Sequence, residues 1–137
     1  MVSWPPLVPS QTYACDALRA VEAVITAIES WNAERTAQGE SAISVNASAA
    51  SGSLIFSAVG DERRLEYTVI ADTVNLAAKL EKHAKQERAR GVVSTDILDL
   101  AQAQGFVPTL KHELRPDRSV EGVGPAVSLV VIGPGWA

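Results

Sequence analysis

Apolar side chains recur at Ala14, Leu18, Val21, Ile25, Ile28 and Trp31, in steps of three and four that align them along one side of a helix. Ser10 stands where an N-cap belongs and Gly39 where a helix stops, so the spacing predicts one long amphipathic helix over residues 11–38. Pro5, Pro6 and Pro9 leave residues 1–4 room for no more than a short strand end. The period then changes. Ile43, Val45, Ala47 and Ala49 alternate with Ser44, Asn46 and Ser48, which predicts a strand with one buried and one wetter face. Ser51-Gly52 reads as a turn, residues 54–59 as the returning strand of a hairpin, and residues 60–64 as a polar loop leaving it.

Helical spacing returns at Val74, Ala77, Ala78, Leu80 and Ala84, opening at Asp72 or Thr73 and closed by Gly91. Val92-Val93 predicts a short strand, and Ser94 or Thr95 caps a short helix that ends at Gly105. Residues 106–110 and 127–132 read as further strands, with residues 112–119 the most loop-like stretch. The order helix, strand, strand, helix, strand, helix, strand, strand predicts an α+β fold, a mostly antiparallel sheet with helices packed on it. Nothing in the chain reads as a repeat, a low-complexity tract or a linker, so its 137 residues are expected to form a single domain.

Composition excludes more than it identifies. With 47% hydrophobic and 20% charged residues, neither disorder nor a membrane span is expected, and no apolar run approaches the roughly 18 residues a spanning helix needs. The opening residues have neither the basic region nor the apolar stretch of a signal peptide, so a cytoplasmic location is the default. Cys15 is the single cysteine, which excludes an internal disulfide and a thiolate zinc cluster. A net charge of -4 gives no footprint for nucleic acid, so an anionic ligand must be held by local groups or metal ions.

One segment goes further. Residues 59–81, VGDERRLEYTVIADTVNLAAKLE, closely resemble the signature of class III adenylate and guanylate cyclase catalytic domains, in which a Gly-Ser-x-Arg-Arg turn leads into Tyr-Thr-Val-Ile-Gly-Asp-Thr-Val-Asn-Leu-Ala-x-Arg-Leu-Glu. The likeness extends more weakly to the first helix, to Ser51-Gly52 and to Val120-Glu121-Gly122-Val123. It implies a ferredoxin-like cyclase core and conversion of ATP or GTP to a cyclic nucleotide and pyrophosphate. Such a reaction is an in-line attack of the ribose 3′-hydroxyl on the α-phosphorus, so the protein must orient the ribose and stabilise phosphoryl charge.

Asn75 and Lys79 are one helical turn apart and so share a face. By the resemblance, Asn75 orients the ribose, Lys79 stands where an arginine meets the phosphates, and Thr68 helps read the purine edge. Losing a donor of this kind typically costs about 10²- to 10³-fold in rate. Lysine keeps the charge but lacks the planar fork that grips two oxygens at once. A hydroxyl at Thr68 separates adenine from guanine poorly, and ATP is the preferred substrate by family analogy alone. Ala71 replaces the family's glycine and restricts the entry to the helix.

The family's opening strand, its Gly-Asp hairpin and a nearby substrate-binding lysine have no counterpart here. Two aspartates in those elements hold the divalent metals, so Mg²⁺ or Mn²⁺ is implied while the ligands are expected from outside this chain. The sequence therefore reads as an N-terminally truncated cyclase domain, a homodimer or a heterodimer with another cyclase domain, in which another chain or an N-terminal extension brings the carboxylates. Its missing strand predicts self-association. The alternatives are a catalytically inactive cyclase-homology module serving dimerisation or regulation, and an unrelated sheet-dimer domain. Asp61, Glu62 and Asp72 read as capping and solvated acids, Arg63 and Arg64 as turn residues. His83 and His112 read as surface residues without metal partners, Trp4, Trp31 and Trp136 as packing or terminal residues, and Cys15 as core. The glycines at 122, 124, 133 and 135 read as turns, without the phosphate-loop pattern.

Overall fold

The computed structural model describes residues 11–52, 55–60, 65–70 and 72–134. The proline-rich opening, Ser10, Ala71, the 61–64 loop with Asp61 and Glu62, and Trp136 lie outside the described residues. The elements are α1 (Tyr13–Ala37), β1 (Ala47–Ala49), β2 (Ile55–Gly60), β3 (Leu65–Ile70), α2 (Asp72–His83), β4 (Ala89–Ser94), α3 (Thr95–Ala103), β5 (His112–Arg118) and β6 (Val127–Pro134). A four-stranded sheet has the order β1-β4-β6-β5, and β2 and β3 form a separate pair.

Two hydrophobic layers hold this sheet. Leu18, Val21 and Ile25 of α1 and Ile97 and Ala101 of α3 pack with Val93, Val130 and Ile132. Leu80 and Ala84 at the end of α2 pack with Val92, Leu129 and Val131. Alternate residues of β4 and β6 thus serve opposite clusters, which explains their unbroken apolar runs: a strand covered on both faces has no wet side to make polar. A side-chain clamp joins helix α1 to the segment that enters β1. Asn32 Nδ2 donates to the Ile43 carbonyl at 2.8 Å, and Ile43 N–H donates to Asn32 Oδ1 at 2.7 Å. At the end of α3, Gly105 takes φ +94 and Phe106 N–H returns to the Ala101 carbonyl, tucking Phe106 into the core.

Several expectations are corrected. The Ile43–Ala49 alternation yields only the three residues of β1, and β1 pairs in parallel with β4 rather than with a returning strand. The hairpin partner of β2 is β3, with Ile55 opposite Ile70 and Gly60 opposite Leu65. Gly52 serves close approach to a helix: a Cβ there would collide with Thr73 Oγ1 of α2. Residues 106–110 are not a strand, whereas the stretch read as a loop is β5, paired antiparallel with β6. Its His-Glu-Leu-Arg-Pro-Asp-Arg sequence suits a sheet edge, where charges, proline and an irregular register between Arg115 and Arg118 discourage pairing with another chain. His83 is buried at 5% exposure and His112 lies against a buried carboxylate, so neither is a surface residue. Trp31 is 47% exposed and carries the Arg35 guanidinium 5.5 Å above its ring instead of packing inward. Cys15 is buried as expected. No helix among the described residues is long and apolar enough to cross a membrane.

Candidate functional site

Helix α2 is held from three sides. Ser48 of β1 donates its hydroxyl to the Ala77 carbonyl at 2.6 Å. Gly52 presses on Thr73 at the first turn. Leu80 and Ala84 anchor the last turns in the core against β4 and β6. Along α2, Asn75, Lys79 and His83 form a stripe in successive steps of four that turns gradually from solvent into the protein. Asn75 is exposed, Lys79 half-buried and His83 buried.

The residues after β5 cover the middle of this stripe. Val120 is buried in the α2-side core, and Val123 N–H donates to the Val120 carbonyl at 3.0 Å, closing a four-residue turn. Gly122 occupies its third position with φ +81, the conformation a type II turn requires there. A Cβ on Gly122 would collide with the Lys79 ammonium, so glycine also gives that group its room. Neither Asn75 nor Lys79 has a hydrogen-bond or ion-pair partner among the described residues. An amide and an ammonium one turn apart on the outer side of a fixed helix, both with donors unspent, can together meet a ligand rich in oxygen acceptors.

Sequence reasoning paired Asn75 with Lys79, and the structure does bring them onto one side of α2. Thr68 lies on β3 opposite Ser57, on the strand that leads toward α2. No three His, Cys, Asp or Glu side chains gather into a metal site among the described residues. Missed by sequence reasoning was the group behind the stripe. His83 Nε2 lies 3.6 Å from Glu87 Oε2, and Arg118 Nε lies 3.2 Å from the same oxygen. The spacing of His83 from Leu80, three residues earlier, was the available signal that it faces inward.

No family model matches the sequence, and no curated protein sequence does. Solved structures do. The adenylyl cyclase CyaB from P. aeruginosa superposes with a TM-score of 0.68 at 18% identity, covering 93% of this chain and 63% of that one. The guanylyl cyclase Cya2 superposes with a TM-score of 0.64 at 19% identity, covering 96% of this chain and 64% of that one. The fold is therefore that of bacterial nucleotide cyclases, and the chain spans just under two thirds of the length of these structures.

Proposed function

We propose that this chain is the nucleotide-facing portion of a class III cyclase domain, acting on ATP or GTP in a two-chain cleft. The observation that carries the reading is the Asn75–Lys79 pair on one side of α2, without hydrogen-bond or ion-pair partners among the described residues, in a fold shared with adenylyl and guanylyl cyclases. Asn75 orients the ribose through its carboxamide. Lys79, kept clear by Gly122, offers its positive charge to phosphoryl oxygens as negative charge grows on them. Thr68, on the strand before this helix, contacts the purine edge.

The described residues do not fit a divalent metal pair, and no step here runs through one. Mg²⁺ or Mn²⁺ would enter with carboxylates from a different, metal-competent cyclase domain, and the active assembly is accordingly a dimer in the cytoplasm. The test combines the chain with a metal-competent cyclase partner, Mn²⁺ and ATP or GTP. Cyclic nucleotide that disappears with Asn75→Ala supports the enzyme reading. Absence of product with every partner supports a second one, a cyclase-homology module for dimerisation or regulation, which Lys79 favours because a lysine supplies a point charge where a two-oxygen grip is needed.

A further inference from the structure

The group behind the stripe is unusual for a protein interior. Glu87 and His83 are 10% and 5% exposed, yet both ring nitrogens of His83, Glu87 Oε2 and Arg118 Nε lack a well-aligned hydrogen bond. Buried polar groups in this state are rare and destabilising. On either side stand two non-glycine residues with left-handed backbones, Arg88 at φ 53 and Asp117 at φ 50, directly after Glu87 and directly before Arg118. Backbone cost of this kind persists only where the surrounding structure enforces it, and it concentrates at functional sites.

The location gives the cluster its role. Glu87 sits in the turn from α2 to β4, and Arg118 is the last residue of β5. Two residues after Arg118 the chain buries Val120, and two further on Gly122 lies against the Lys79 ammonium. Resting on the reading above, in which Lys79 meets a triphosphate, we infer that Glu87 and Arg118, backed by His83, form a latch that positions Lys79. The latch joins the end of β5 to the end of α2 and so holds the Val120–Val123 turn over the lysine. None of the three is a catalytic residue; each acts through Gly122 and Lys79.

Lysine acylation read by mass spectrometry tests this on the intact chain, with the exposed Lys85 as internal reference and the buried Cys15 as a reporter of general loosening. Arg118→Gln and Glu87→Gln are expected to raise the Lys79-to-Lys85 labelling ratio roughly three- to ten-fold, the range open to a partly exposed charged contact. Arg118→Lys, which keeps the charge, should hold the ratio near wild type, and Cys15 should stay unreactive throughout. A ratio unchanged in both glutamine variants, or one that rises only together with Cys15 labelling, overturns the latch. ATP with Mn²⁺ should also protect Lys79 in the wild type and protect it less in Arg118→Gln. If latch opening is seen but ATP never protects Lys79, the latch stands and the nucleotide reading falls.

Discussion

Glu22 and Glu87 are carboxylates beside the same four-stranded sheet, Glu22 buried with the α1 layer and Glu87 largely enclosed on the α2 side. Glu22 is 4% exposed and saturated: it accepts from Thr109 N–H, the Thr109 hydroxyl, Leu110 N–H at 2.9 Å and His112 Nε2 at 3.1 Å. In one stroke it ties α1 to the segment entering β5. Glu87 has an imidazole and a guanidinium beside it and no well-aligned hydrogen bond on the oxygen they share. The Glu22 carboxylate is therefore locked by its donors, although His112 Nδ1 behind it has no partner among the described residues, while Glu87 keeps an unsatisfied oxygen next to the stripe that carries the proposed chemistry. The contrast teaches that burial alone does not distinguish a structural acid from a functional one. The count of donors aimed at it does.

The sharpest way to break this comparison is Glu22→Ala, which strands two partly buried N–H groups, a hydroxyl and an imidazole. It should cost about 3 kcal/mol or more in urea unfolding, against much less for Glu87→Ala. Acid should show the same asymmetry. Burial raises the Glu22 carboxyl, but its hydrogen bonds from Leu110, His112 and Thr109 outweigh that and leave it below its usual 4.5. A depressed carboxylate stabilises the fold above its unfolded value and loses that contribution as pH falls through its folded one. The urea midpoint of the wild type should drop from pH 4.5 downward, and Glu22→Gln should flatten that part of the profile.

Smaller effects sharpen the picture. A Cβ at Gly91 would come within 3.1–3.2 Å of Ile25 Cδ1, Ile132 Cβ and Val21 Cγ1, so Gly91→Ala should cost about 1–3 kcal/mol by crowding the α1 side. Gly122→Ala meets only the flexible tip of Lys79 and a left-handed backbone, so thermal unfolding should record about 1–2 kcal/mol, with nucleotide binding weakened as the ammonium is displaced. Asn75→Ala should change stability by less than about 0.5 kcal/mol while abolishing product in the paired cyclase assay. A large stability loss there would make Asn75 structural.

Much of the scaffold was legible because periodicity reports burial. The steps of α1, α2 and α3 and the apolar runs of β4 and β6 follow from which faces are covered. Strand β5 escaped because an edge strand is written in charges and proline, the vocabulary of a loop. Strand β3 escaped although Leu65, Tyr67 and Val69 alternate with Glu66 and Thr68, because the preceding strand had already been paired with β1 on the strength of Ser51-Gly52. Chain proximity favours such a hairpin, but β1 runs parallel to β4, a pairing set by the packing of α1 and α2 and by no local signal. Glu22 falls four residues after Leu18 and three before Ile25, a core position that its charge concealed. For the candidate site, Asn75 and Lys79 were visible in a local motif. The Glu87–Arg118 contact was not, since it joins residues 31 apart whose encounter depends on the whole sheet.

The Asn32 clamp carries a chemical liability of its own. A carboxamide offers one donor and one acceptor at the spacing that Ile43 presents, and no ionised acid can offer both. Deamidation of Asn32 on prolonged storage would set a carboxylate oxygen against the Ile43 carbonyl, so aged preparations should lose the tether between the long helix and the segment entering β1 while the packing of that helix on the sheet persists.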